Sequence, residues 1–265
     1  MLRDCIPQSR GSGILLSQLG SQCHLQLITD SQRTNELMKQ VGSNGARAIA
    51  GLTALAIVLW LAIFLPSWSL DFWQAWLYWL VFVASVTAIT TYFLRNDQNL
   101  IESRLKVGPA SEEDPSQKVI QLFLSIFFIL LILVPSLDHR FHWSSVPNYL
   151  AICGDVLVFL GLFIIFLVFR ENTFTSVLIE VGNNQRVIST GPYSVVRHPM
   201  YSGALLMLSF TPIALGSYWG LLFAIPMFGA IILRIHEEEK FLAKSLPGYK
   251  EYCEKTRYRL VPLIW

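Results

Sequence analysis

The sequence predicts an all-α, polytopic membrane protein of about six transmembrane helices, with a C-terminal helical hairpin and a cytosolic tail. Of 265 residues, 53% are hydrophobic and only 14% charged. The apolar residues fall in long blocks, not in the short periodic stripes of a soluble core. When those blocks are read as spans, nineteen of the twenty lysines and arginines lie on one side, Arg140 being the exception. The positive-inside rule names that side the cytoplasm, so both termini are expected there.

Three parts follow from this reading. Residues 1 to 45 form a loose polar segment dominated by Ser, Gln, Gly and Thr, without the apolar run of a signal peptide. Met38, followed by Lys39 and the first span, would serve as an alternative start. Residues 46 to 169 hold four spans, Ala46 to Leu65, Phe72 to Leu94, Val119 to Leu137 and Asn148 to Phe169. Residues 170 to 265 hold the expected catalytic core, with a short span Met200 to Leu215 and a sixth, Tyr218 to Ile235. The fifth is short for a bilayer about 30 Å thick and has to rely on thinning or on its partner helix.

Between the spans, Trp68, Trp73, Trp76 and Trp79 fit an aromatic belt at the outer interface, with Trp79 deeper. Gly108-Pro109 and Glu112-Glu113-Asp114-Pro115 read as a solvated turn. His139 and His142 stand on the outer loop with only Asp138 nearby, too few ligands for a metal. Cys5, Cys23, Cys153 and Cys253 are scattered, so neither a disulfide framework nor a zinc site is expected. A net charge of +2 argues against a nucleic-acid surface. Asp155, an intramembrane carboxylate, is expected to have a structural partner.

The chemistry is expected at the cytosolic end of the hairpin. Arg197-His198-Pro199 precedes its first helix and Glu237-Glu238-Glu239 ends its second. Each cluster opposes the helix dipole it touches. A hairpin returns its ends to one membrane face, so the clusters either neutralise each other or grip a charged ligand. Pro199 fits the first helical turn, and Ser202, Gly203 and Ala204 let another backbone approach. Pro212 and Pro226 each free a carbonyl. Arg234 shares a helix face with Glu237 and Glu238, but three adjacent carboxylates ask for more cation than Arg234 supplies. Leu246-Pro247-Gly248 breaks the second helix. The stretch from Tyr249 to Tyr258 then lies on the inner leaflet or folds back as a lid.

The run Val187-Ile188-Ser189-Thr190-Gly191-Pro192-Tyr193, then Arg197-His198-Pro199-Met200-Tyr201-Ser202-Gly203, then Glu238-Glu239 with Leu242, Tyr249 and Arg259-Leu260-Val261-Pro262, resembles the isoprenylcysteine carboxyl methyltransferase family. Related phospholipid N-methyltransferases share part of the pattern. The resemblance covers about the last 90 residues. It implies S-adenosylmethionine as methyl donor, bound from the cytosolic side beneath the tail, and a lipidic or small acceptor, with a prenylated cysteine carboxylate among the candidates. It places cofactor contacts at Gln185, Arg186, Val187, Ile188, Tyr193, His198, Pro199, Met200, Tyr201 and Glu238. It places substrate contact at Arg234 and activity at Arg197 and Glu237. The tail departs from the family pattern at Thr256-Arg257-Tyr258-Arg259.

The residue chemistry accords with this. A sulfonium donor that also carries an ammonium and a carboxylate needs Glu238 for the first charge and His198 with free helix N–H groups for the second. The only G-x-G, Gly11 to Gly13, lacks the third glycine of a dinucleotide fingerprint. A lipidic acceptor would enter sideways from the bilayer. The rival classes are a sterol-type membrane reductase using a nicotinamide cofactor and a non-enzymatic scaffold or transporter. The latter predicts charges buried along several spans, whereas this chain concentrates its charge at the cytosolic ends.

Overall fold

A computed structural model describes residues 45–97, 100–101, 115–172 and 187–265. They belong, apart from the first two, to one compact unit, Arg47–Trp265. The expectations for the polar N-terminal segment and Met38, for the acidic turn at Glu112-Glu113-Asp114, and for Gln185 and Arg186 lie outside the described residues. No strand occurs among those described. The helices are α1 Gly45–Ser67, α2 Trp73–Asn96, α3 Pro115–Phe141, α4 Asn148–Glu171, α5 Pro199–Ala214, α6 Leu221–Ser245 and α7 Tyr249–Lys255.

Four helices, α1 to α4, are long and apolar enough to cross a membrane, where the sequence reading counted about six spans. The other two form the hairpin and fall short for separate reasons. α5 has 16 residues, so it rises about 24 Å. α6 has 25 residues, but its apolar run meets Arg234, Glu237, Glu238 and Glu239 before the helix ends.

α4 organises the packing. α5 runs along it so closely that a Cβ on Gly161 would sit 2.6 Å from the Gly203 carbonyl oxygen, and one on Gly203 2.7 Å from that of Gly161. Two glycines therefore meet face to face, which is how small residues bring membrane helices into contact. α2 contributes Ala75, Tyr78 and Phe82 to a core shared with Val158 and Leu162 of α4. α3 brings Leu131 against Met227 and Ile231 of α6. The helices continue through Pro212 and Pro226.

Trp68, Trp73 and Trp76 are exposed at the end of α1 and the start of α2, while the Trp79 indole turns inward and donates to the Ala56 carbonyl at 2.9 Å. At the same end buried Asp138 accepts from the Ser144 N–H at 2.7 Å and from the Ser144 and Ser217 hydroxyls. The His139 ring stacks on Phe72 at 3.8 Å between centroids.

Asp155 departs from expectation. It is buried, yet neither carboxylate oxygen has a hydrogen-bond partner among the described residues. The neighbouring Thr211 hydroxyl donates to the Met207 carbonyl at 2.9 Å, which leaves Tyr78 as the donor in the 3.3 Å bond between the two hydroxyls.

Candidate functional site

Proline at the first position of α5 fixes where the helix begins, and this sets the depth of Arg197 and His198. Their backbone is held by the chain's last stretch. The Arg197 N–H donates to the Tyr258 carbonyl and the His198 N–H to the Arg259 carbonyl, both at 2.9 Å. One turn into α5, the Ser202 hydroxyl donates to the Leu260 carbonyl at 2.7 Å. The exposed amides that precede a helix are thus partly met by another strand of the chain.

The two charge clusters do meet, and the meeting point is Glu239. One carboxylate oxygen lies 3.1 Å from Arg197 Nη1 and 3.2 Å from His198 Nε2. The other accepts from Arg259 Nε at 2.9 Å. Burial alone would push this carboxyl up; hydrogen bonds from His198 and Arg259, with the Arg197 guanidinium, outweigh burial and hold it down at about 2. Glu239 is therefore an anion already neutralised by its neighbours. Glu238 is different: among the described residues its hydrogen bond is the one it accepts from the Tyr201 hydroxyl at 2.7 Å.

Tyr201 connects two regions. Its hydroxyl donates to Glu238 and accepts from Arg234 Nε at 2.9 Å. Arg234 is buried and lines a cavity of about 480 Å³ between α3, α5 and α6. Gln121, Met200, Met207, Phe128 and Met227 contribute to its walls. Ile129, also on the wall, is exposed on the outside of α3, so the cavity borders the surface that faces lipid.

A second cavity, of about 460 Å³, lies under the tail, with Glu239, Tyr249, Cys253 and Arg259 among its walls. The break at Leu246-Pro247-Gly248 creates it. Gly248 takes φ +84, a left-handed conformation suited to glycine, and α7 turns back. There Tyr252 donates to the Tyr193 carbonyl at 2.8 Å, and Leu246, Tyr249 and Tyr252 pack with Val187 and Tyr193. The Tyr193 hydroxyl accepts from Asn172 at 3.0 Å. The tail thus packs against Val187, Tyr193 and the head of α5. Burial pushes the Tyr249 phenol up, and the charge of Glu239 adds to the shift. Its hydroxyl and Arg197 Nε are buried polar atoms with no hydrogen-bond partner among the described residues.

The structure therefore brings Arg197, His198, Pro199, Tyr201, Arg234 and Glu238 together. Met200 lines the first cavity, Val187 and Tyr193 lie beneath α7, and Ile188 follows on the half-buried approach. Glu237 stands apart, exposed and paired with Lys240 at 2.7 Å. Sequence reasoning named Glu239 and Arg259 only as members of their runs, without a role for either, and did not name Gln121. Glu239 follows Glu238 by about 100° of helix rotation, and only the tertiary arrangement shows which of the two meets the cations. Gln121 had a fainter signal, an amide among apolar residues. Among the described residues no group of three His, Cys, Asp or Glu side chains is arranged to hold a metal ion.

Residues 149–247 match the phospholipid methyltransferase family, a stretch that runs from the start of α4 past the end of α6. The match bears out the resemblance read from Val187 to Glu239. The cobalt-zinc-cadmium resistance protein CzcN of Cupriavidus metallidurans is 30% identical over 108 residues, covering 39% of this chain and 48% of that protein. The chain thus spans about half the length of this curated relative. Four apolar helices describe an integral membrane protein, and residues 149–247 of it are similar to the phospholipid methyltransferase family.

Proposed function

We propose that this protein transfers a methyl group from S-adenosylmethionine to an acceptor that reaches Arg234 from the bilayer. The observation that carries this reading is the Tyr201 hydroxyl, bonded at once to Arg234 on the lipid-side cavity and to Glu238 beside the tail-covered charge cluster. A cofactor arriving from water and an acceptor arriving from lipid need two such compartments in contact.

The residues suit the donor. Among the described residues Glu238 is bonded to no cation, which suits it to the donor's ammonium, whereas Glu239 is neutralised. The unpartnered Arg197 Nε and Tyr249 hydroxyl offer donors for a carboxylate or a ribose. When bound, S-adenosylmethionine supplies an electrophilic methyl group on a sulfonium. The protein's part is positioning and exclusion of water: Tyr201 fixes Arg234, the folded-back tail covers Glu239, and α5 and α6 wall the acceptor. Val187, Ile188, Tyr193, His198, Pro199 and Met200, with Gln185 and Arg186, complete the proposed cofactor set.

A carboxylate acceptor, such as that of a prenylated cysteine, fits first. It needs a cation to orient it and no general base, which suits a site where Arg234 is buried and Glu237 stands exposed beside Lys240. A phospholipid amine is the second reading, favoured by the description of the matching family. It requires a base, the role proposed for Glu237. In either case α5 and α6 complete six spans, with both termini and the site in the cytosol.

Membranes containing the protein, incubated with methyl-labelled S-adenosylmethionine and extracted into organic solvent, test this directly. Label that mild alkali releases as methanol marks an ester and a carboxylate acceptor. Alkali-stable label marks an N-methyl or S-methyl group. Absence of protein-dependent label in lipid and protein fractions alike defeats the reading.

A further inference from the structure

The cavity at Arg234 is completed by a helix outside the matched segment. Gln121 lies on α3, and the family match begins at residue 149. Its amide oxygen is 3.4 Å from Arg234 Nη1. A guanidinium only donates, so the oxygen faces Arg234 and the amide NH2 remains a donor at the cavity wall. One turn on, the Ser125 hydroxyl is committed to the Gln121 backbone carbonyl at 2.8 Å, and Arg234 Nε is committed to Tyr201. Among the described residues no carboxylate lines this cavity, and its walls include Leu124, Phe128, Met207 and Met227. Thioether side chains adapt to irregular apolar guests.

We propose that Gln121 is a specificity-determining residue: its amide and the Arg234 guanidinium together receive a two-oxygen anionic head group carried on an apolar chain. The assignment rests on the acceptor reading of this cavity given above. The head group is a carboxylate or a phosphate, since both present paired oxygens to a planar fork. Gln121 also holds the guanidinium in register through its bond to Nη1. An acidic residue here would form an ion pair with Arg234 and compete with any anionic guest.

The test is binding to the full-length protein in nanodiscs, by displacement of a fluorescent fatty acid. The probes are oleate, oleoyl lysophosphatidic acid and neutral methyl oleate, and S-adenosylhomocysteine affinity is measured separately by calorimetry. The wild type is expected to prefer an anionic probe over methyl oleate. Gln121→Glu should weaken that probe about tenfold or more, the effect of losing one charge-assisted hydrogen bond. Methyl oleate and S-adenosylhomocysteine should change less than about twofold. Gln121→Met, close in shape and uncharged, should weaken the anion by less and keep the fold if the Glu variant does not. Whichever anionic probe responds identifies the head group. Equal affinity of the wild type for all three probes overturns the proposal, as does equal weakening of methyl oleate and the anions by both variants. Failure of S-adenosylhomocysteine to bind the wild type, with anion selectivity intact, instead removes the methyl-transfer reading and leaves Gln121 as an anion selector.

Discussion

Arg259 is fastened to Glu239 by a 2.9 Å bond from Nε to a carboxylate oxygen, and its guanidinium lies 5.1 Å from the centre of the Trp265 ring. Residues 259 to 265 are thereby tied to the C-terminal part of α6. Glu239→Gln keeps the shape and removes the charge, leaving Arg197 and Arg259 facing one another. A loss of about 1–3 kcal/mol is expected. Because the folded carboxyl is held at about 2 and its ordinary value is 4.5, the contribution of Glu239 is complete above about pH 4.5 and is lost as pH falls toward 2. Thermal unfolding of wild type and variant across this range should show curves that converge in acid. A constant difference at all pH values counts against this account.

Glu238 should matter for the cofactor and little for folding. Its partner among the described residues is one hydroxyl, so Glu238→Gln strands no cation. S-adenosylhomocysteine affinity should fall by about tenfold while the melting temperature holds within a few degrees. Stabilisation of the wild type by NADPH, with none by S-adenosylhomocysteine, would instead support a membrane reductase.

Arg234 is expected to orient the acceptor's anionic group. Arg234→Lys keeps the charge and loses the planar fork that reaches both Tyr201 and Gln121. Turnover should drop by about tenfold or more with cofactor affinity little changed. If turnover survives in the Lys variant while Arg234→Ala lowers stability and cofactor binding together, Arg234 merely balances charge.

The contact of α4 with α5 is tested by a pair of alanines. Gly161→Ala places a methyl 2.6 Å from the Gly203 carbonyl oxygen, while Gly229→Ala meets nothing within 4 Å. The first should cost about 1–3 kcal/mol; the second should shift stability by less than about 1 kcal/mol. Equal melting temperatures would mean that the two helices separate readily.

Sidedness is open to cysteine labelling from outside intact cells after removal of the native cysteines. Ser144 is a poor probe site because it bonds Asp138, whereas its neighbour Ser145 is exposed, as is Glu254 on α7. A cysteine at 145 should react with an impermeant reagent and one at 254 should be spared. The reverse pattern inverts the topology.

Much of this architecture is written in hydropathy. Apolar runs beginning at Ala46, Phe72, Val119 and Asn148 correspond to α1 through α4 because a long lipid-facing helix has no other way to satisfy its backbone. The pairing of Arg197 and His198 with the acidic run was also legible, since a hairpin must bring its ends together. Which carboxylate they meet was not. Glu238 and Glu239 are adjacent in sequence, and helix rotation, fixed by how α6 packs on α3, turns one to Tyr201 and the other to the cations. Gln121 and the role of Arg259 escaped notice for a related reason: each reaches the cluster from far along the chain, and a single polar residue carries no periodic signal of its destination. The expected partner of Asp155 failed because Tyr78 and Thr211 bond each other.

The tail's grip on α5 also sets an order of assembly. Arg197 donates through Nη2 to the Arg257 carbonyl, a partner sixty residues later. During synthesis the first four helices can insert, and the hairpin can form, while the amides at the head of α5 and the guanidinium of Arg197 still wait for residues 257 to 260. A nascent chain at that stage carries a half-built polar cluster at the membrane surface. The head of α5 is therefore completed only after Arg257, Tyr258 and Arg259 have been made, and a chain cut before Arg257 would lack the carbonyls that Arg197 and His198 bond.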